Sequence, residues 1–327
     1  MHSKRTFLAQ AGALALAAAA TPVWSQAGFP SRPLRIVVPN AAGGGADLTA
    51  RAVGQALSAR LGQPVVIDNR PSAGGIVAGE QVARAQPDGH TLLLVSSGTA
   101  VSEALFKKLP FDTLNDFAQV SQLARFDLVI AVAENSPFKT LGDLVAWAKA
   151  NPGKLNLGTP QIGTTQNLAA ELFKLKAGIQ GQVVPFNGTP PVITAVRGGE
   201  LHAMLDILGP LMTQIQGKTL RALAVTGRER APQLPNVPTA AETGGGLATL
   251  DASSWNGLAV PAKTPKDIVE RLSRDVQAAV AQADVVKQLG ELNLTAKGSS
   301  SAQLTEFLKA DIQRWREVIS AAKLTQI

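Results

Sequence analysis

From residue 34 onward, short β-branched runs alternate with longer stretches whose apolar positions recur at helical spacing, the pattern of parallel βαβ units. "LRIVV" (34–38), "PVVID" (64–68) and "HTLLLVS" (90–96) read as strands, the third apolar enough to be buried on both faces. Between them, "DLTARAVGQALSARLG" (47–62) places Leu48, Ala52, Val53, Ala56, Leu57 and Leu61 on one helical face, and Gly62 stops it. "GIVAGEQVARA" (75–85) reads as a short helix. A looser segment containing "LPFDTLNDF" leads to "VSQLA".

A second series begins at "DLVIAVA" (127–133). Thr140, with Asp143 three residues on, opens a helix like a capping box. Strand "KLNLGT", helix "TQNLAAELFKLKAG", strand "QVVPF", helix "PVITAVRGG" and strands "HAMLDI" and "LRALAVT" follow. Residues 228–246 are rich in Pro and Gly and read as loop, and "SSWNGLAVPA" reads as a return strand. Thr264 and Pro265 cap the helical C-terminal part, where Val276, Val280, Leu304, Leu308, Ile312 and Trp315 form core-facing stripes. The fold class is therefore α/β, with two sheets expected. Polar or glycine-rich turns at 41–47, 72–75, 96–99, 161–165 and 187–189 follow strands, where open α/β sheets bind ligands.

The first 27 residues stand apart. A basic start, the apolar "AGALALAAAA" and a small-x-small ending at Ser25 and Ala27 make a secretory signal peptide cleaved after Ala27. Its apolar core is about half the length of a membrane span. Lys4-Arg5 ahead of Phe7-Leu8 resembles a weakened twin-arginine signal, leaving the export route open. The processed chain would be periplasmic. Loss of Lys4 and Arg5 lowers its formal charge from +7 to +5, spread without a basic cluster and with no Tyr, so nucleic acid is not an expected partner. The absence of cysteine excludes thiol catalysis, disulfides and zinc held by sulfur.

The rival reading is a dinucleotide fold. Gly43 and Gly45 supply two glycines of G-x-G-x-x-G, and Asp68 closes the second strand near where an acid would hold a ribose. Leu48 occupies the third glycine position and would obstruct the close approach of helix to strand. "GKT" (217–219) lacks a phosphate-loop glycine at Met212, and neither H-E-x-x-H nor G-x-S-x-G occurs. His90 and His202 both read as turn or strand-start residues. No catalytic group, cofactor or metal is expected.

"PNAAGGGADLTAR" carries the positive evidence. Three consecutive residues without a Cβ let the backbone approach a ligand, and the N–H groups at a helix start suit an anion. A carboxylate needs about two such donors and no counter-cation. Asp47 reads first as the N-cap of that helix, and otherwise as an acceptor for an amine, hydroxyl or water.

The segments "PLRIVVPNAAGGGADLTAR", "VVIDNRPSAGGIVAGEQVARAQPDGHTLLL", "GTTQNLAAELF", "VPFNGTPPVITAVRGGELHAM", "LRALAVTGRERAPQLPNVPTAAETG" and "SWNGLAVPAKTP", in this order, resemble the solute-binding subunit of tripartite tricarboxylate transporters, the TctC or Bug type. The resemblance runs from about Phe29 to the end. It implies a two-domain periplasmic-binding-protein-like fold of type II, with domain 1 from residues 28–126 plus 250–327 and domain 2 from 127–249. A small organic carboxylate would lie in the cleft between them, held by backbone N–H groups and ordered waters. Delivery to two membrane subunits of an uptake system, by a monomer, is also implied. The same pocket would serve a sensor that presents its loaded form to a receptor.

Carried onto this chain, the first-domain loop is Ala41 to Asp47, with Asn40, Ala42, Gly43, Gly44 and Asp47 as ligand candidates. Ser96, Ser97 and Gly98 are expected in the loop after the third strand. Gly163, Thr164 and Thr165 make a second anion-friendly terminus, and Asn187 and Asp206 end strands facing the far end of the ligand. The chain departs from the family at Asn40, where many relatives carry an aromatic residue. Asn167 replaces a common His, and Phe186-Asn187 replaces a Tyr-Lys pair. These changes read equally as drift on the cleft rim or as a changed ligand end-group with less cationic surroundings.

Overall fold

The structure, a computed structural model, describes residues 28–321 and 324–327; the signal peptide expected over residues 1–27 lies outside them. The first βα units form as the pattern predicts. β1 (Leu34–Val38) runs into α1 (Gly45–Leu61), which ends at left-handed Gly62, and β2 (Val65–Asn69) follows. A 3₁₀ turn at Ala73–Gly75, α2 (Ile76–Ala83) and β3 (Thr91–Ser96) complete the set. β1 lies between β2 and β3, parallel to both.

Helix α3 (Ser97–Leu105) departs from the reading of residues 96–99 as loop. It follows β3 without an intervening residue, because Ser96 Oγ accepts from Gly98 N at 3.1 Å and Thr99 Oγ1 accepts from Ser96 N at 3.0 Å. This capping box lets a strand end and a helix begin at one residue.

The segment read as two pieces is one strand of 17 residues, β4 (Phe117–Ala133). Its polar residues Gln119, Ser121, Gln122 and Asp127 interrupt the apolar run, and the ladder shifts register between Gln119 and Ser121 and between Gln122 and Ala124 without ending. Up to Asp127 it pairs with β9 (Ser253–Pro261), and from Leu128 it pairs with β7 (Ala203–Ile207) and β8 (Leu220–Val225), always antiparallel. The two sheets expected from the pattern are therefore joined in one hydrogen-bonded path, β2-β1-β3-β9-β4-β7-β5-β6.

In the second half, α4 (Leu141–Ala150) begins with the Thr140–Asp143 capping box. β5 (Leu155–Thr159), α5 (Thr165–Ala177), β6 (Gly181–Pro185) and α6 (Thr189–Arg197) follow. Between β7 and β8 the structure adds α7 (Leu208–Gln216), where the pattern showed only two strands. Gly209-Pro210 reads as a turn, yet proline is tolerated in the first turn of a helix, where its missing N–H has no partner to lose.

The C-terminal α8 (Lys266–Val280), α9 (Ala283–Glu291) and α10 (Ser301–Ala321), with the short β10 (Thr295–Ala296) on β4, belong to the first half. α8 begins one residue later than expected, with Pro265 rather than Thr264 at its cap. The stripe Leu304, Leu308, Ile312 and Trp315 packs with Leu93, Val101 and Trp255 in the first core, while Val129, Val192, Leu211 and Val225 centre the second. Both buried indoles are satisfied: Trp255 Nε1 donates to Asp311 Oδ2 at 2.7 Å and Trp315 Nε1 to Ser97 Oγ at 3.2 Å. Among the described residues no helix is long and apolar enough to cross a membrane.

Candidate functional site

Where β4 changes partners, the carboxyl ends of β1 and β3 face those of β5 and β7 across a cavity. Its walls include the first turns of α1 (Gly45, Ala46), α3 (Gly98, Thr99), α5 (Thr165, Gln166) and α6 (Thr189), with Ile207, the residue that caps α7. Each such turn presents N–H groups that have no intrahelical acceptor and carries the positive end of its helix dipole. Among the described residues no ionisable side chain lines the cavity. With the open solvent at its mouth included, the space is about 950 Å³.

On the first-half rim, Asp47 is not the N-cap; Gly44 is, and Asp47 stands three residues into the helix. Its side chain turns back, accepting from Gly43 N at 2.9 Å and from Arg51 Nε at 3.0 Å. Burial pulls its pKa up, but the Arg51 hydrogen bond, the Gly43 N–H and Asn69 outweigh this, and the carboxyl lies below its ordinary range. Asp47 is 2% exposed. It pins the glycine loop from behind, and Arg51 offsets the charge that would otherwise repel an anion over the glycines.

The second-half rim is built by close approach. Gly163 has φ +79°, and a Cβ on it would lie 2.8 Å from Gly74 Cα. Gly74 N donates to Ile162 O at 3.2 Å, and Ser102 Oγ donates to Gly163 O at 3.2 Å. On the opposite side a Cβ on Gly188 would reach 3.4 Å from Ala41 Cβ. Ser254 on β9 donates to Thr165 Oγ1 at 3.3 Å. These contacts hold the two halves together around the cavity.

Eight of the residues singled out from the sequence lie on its wall: Asn40, Ala42, Gly44, Ser96 and Gly98 from the first half, and Gly163, Thr164 and Thr165 from the second. Of the others, Asp47, Ser97 and Asp206 are buried off the wall, Asn167 is half-buried, and Gly43 and Asn187 are exposed. Gly43 is turned to Asp47, and Ser97 is fully buried against Trp315. Asn167 Nδ2 donates to Thr159 Oγ1 at 3.1 Å, and Asn187 Oδ1 accepts from Gln161 Nε2 at 2.8 Å. Asp206, 0% exposed, accepts from Gln166 Nε2 at 3.0 Å and from Ile207 N at 2.7 Å. Burial pushes its pKa up to about 6 against the pull of Gln166, Thr189 and the Ile207 N–H. Its Oδ2 has no hydrogen-bond partner.

The structure adds wall residues that the sequence reading passed over. Gln166, beside the quoted Gly-Thr-Thr turn, was accessible to anyone extending that turn into the helix. Asn256 on β9 and the apolar Phe111 and Phe126 carry no local signal. Asp68, the acid of the dinucleotide reading, is ion-paired to Arg70 at 2.9 Å and does not line the cavity.

The family model described as "Tripartite tricarboxylate transporter family receptor" matches residues 49–324. Protein BugT of Bordetella pertussis is 32% identical over 315 residues, covering 95% of this chain and 96% of BugT. Among solved structures, R. palustris Rpa4515 with adipate superimposes with a TM-score of 0.87 at 30% identity, covering 91% of this chain and all of the other. MatC (Rpa3494) from Rhodopseudomonas palustris with bound malate gives 0.82 at 31% identity, covering 89% of this chain and all of MatC.

Proposed function

The chain belongs to the tripartite tricarboxylate transporter receptor family, and from that premise we propose that it captures a small organic carboxylate in the cavity between its halves and releases it unchanged. The observation that carries this reading is a cavity faced by several helix N-termini and lined, among the described residues, by no ionisable side chain. A carboxylate there receives charge-assisted hydrogen bonds from backbone N–H groups, each worth roughly 1.5–3 kcal/mol. The neighbours solved with adipate and malate support an acid of this size.

In this reading residues 28–126 with 250–327 form one lobe and 127–249 the other, and they part by bending where β4 and the chain entering β9 cross between halves. The ligand candidates are the eight wall residues named above, with Asp47, Ser97, Asn167 and Asp206 supporting them from behind and Gly43 and Asn187 at the exposed rim. The protein is exported to the periplasm, works as a monomer without catalysis, and passes its ligand to two membrane subunits. The test is a thermal-shift panel of mono-, di- and tricarboxylates, acidic amino acids and dinucleotides on the purified protein, with mass spectrometry of what is recovered. One carboxylate class should raise the midpoint and come back chemically intact; at 100 times Kd the stabilisation is about 2.7 kcal/mol. A shift with dinucleotides alone, or a converted ligand, overturns the reading.

A further inference from the structure

Four amide side chains line the cavity, and in three of them, Gln161, Gln166 and Asn256, the nitrogen is committed to the protein. Gln166 Nε2 donates to Asp206, Gln161 Nε2 to Asn187 Oδ1, and Asn256 Nδ2 to Thr49 Oγ1 at 2.9 Å. Among the described residues, no protein donor takes the carbonyl oxygen of any of the three.

For two of them the orientation is forced. The Thr49 hydroxyl already donates to Gly45 O at 2.7 Å, so toward Asn256 it can only accept, and Asn256 must offer its nitrogen. Ionised Asp206 is likewise acceptor-only, so Gln166 must also offer its nitrogen. Gln161 is not forced, because its partner Asn187 is an amide that can turn with it. Among the described residues, Gln166 Oε1 and Asn256 Oδ1 are thus hydrogen-bond acceptors without protein partners on the cavity wall.

We propose that these two oxygens make the cavity selective for a carboxylate that also carries a hydrogen-bond donor, a hydroxyl or an ammonium, over the same acid without one. The proposal rests on the carboxylate reading and adds the second group the ligand must bear. Closure over an unsubstituted acid strips water from both acceptors and returns nothing to them. Closure over a hydroxy or amino acid satisfies at least one. Gln166 is the specificity residue, and Asp206 is a positioning residue that acts through it.

The experiment is calorimetric titration of the purified protein with matched acids: succinate, malate and aspartate, then glutarate, 2-hydroxyglutarate and glutamate. The substituted member of the preferred set should bind at least ~10-fold tighter than the unsubstituted one. Preference for the hydroxy acid identifies a neutral donor, and preference for the amino acid shows that the charge of Asp206 is also felt. Gln166→Met removes the oxygen at similar length and should narrow the ratio to about threefold or less. Asp206→Asn keeps an oxygen before the Ile207 N–H, so Gln166 still donates there and the hydroxy-acid ratio should hold, while any added preference for an ammonium should fall; a purely packing role would lower all affinities alike. Should Asp206→Asn not fold, the wild-type pairs and Gln166→Met still decide the matter. Equal binding of matched acids, or a ratio that survives Gln166→Met, overturns the proposal while leaving carboxylate capture intact. Binding of no acid at all overturns both.

Discussion

Each half of the molecule buries one acid close behind the cavity, and the two are treated in opposite ways. Asp47 lies against Arg51 and the Gly43 N–H, and its carboxyl stays below the ordinary range despite burial. Asp206 has amide and N–H donors but no cation, keeps one oxygen without a partner, and is pushed up to about 6. The first is a latch that fixes the shape of a glycine loop. The second is an under-satisfied group that holds its neighbour Gln166 by the amide nitrogen. The rims differ in the same sense: Gly44 leaves space above an anion-facing turn, whereas Gly163 touches the opposite half.

The largest effect should come from the rim that touches. Gly163→Val adds branched carbon at φ +79° where even a Cβ would lie 2.8 Å from Gly74 Cα. The halves should then be held apart and ligand affinity lost by roughly 1000-fold or more, while backbone strain alone costs on the order of 1–3 kcal/mol. Calorimetry together with the radius of gyration by small-angle scattering checks this; tight binding with normal closure would show that the contact is not needed.

Next comes Asp206, whose folded pKa is raised above the unfolded value near 3.8. The folded state binds its proton more tightly, so the contribution to stability is full below pH 3.8 and lost as pH rises through about 6. Between pH 4 and 7 the wild type should lose up to roughly 3 kcal/mol relative to Asp206→Asn, measured by urea unfolding of the ligand-free protein. Parallel stability curves for the two would remove the contrast between the acids.

Asp47 should show the opposite slope at smaller size. Its folded pKa is lowered, so its contribution is present above pH 3.8 and lost as pH falls through the lower folded value. Asp47→Asn should cost about 1–2 kcal/mol at pH 7, for a weakened loop N–H bond and an unpaired Arg51 that is partly solvated, and progressively less in acid. The smallest effect belongs to Gly44→Ala. A Cβ there meets only Ala41 O, at 3.5 Å, so affinity should change by no more than about threefold. A larger loss would mean that the ligand lies directly against that Cα.

Much of the site was legible because it is local. A strand, a glycine turn and a helix start follow one another closely at Leu34–Asp47 and again at Leu155–Thr165, and this spacing alone puts backbone N–H groups where an anion can use them. The Thr140 capping box and the stripe from Leu304 to Trp315 were legible for the same reason. α3 and α7 were missed because each begins at the residue where a strand ends, leaving no turn to mark it. β4 was divided because polar side chains interrupt its apolar run while the long antiparallel pairing with β9 continues.

By itself, then, the sequence determined the alternating α/β elements, the two glycine-turn helix starts and the family segments in their order. All of these follow from backbone preferences and periodicities that act over a few residues. Only the tertiary structure decided that both helix starts face one cavity, and that Asn256 arrives from 211 residues beyond Gly45 to meet it. It also decided that Gln166 turns its nitrogen away from the cavity toward a buried acid. Those facts depend on β9 inserting between β3 and β4 and on burial that raises the cost of a misplaced charge. Neither leaves a trace in local spacing, because both arise from neighbours that are adjacent only after the chain has folded.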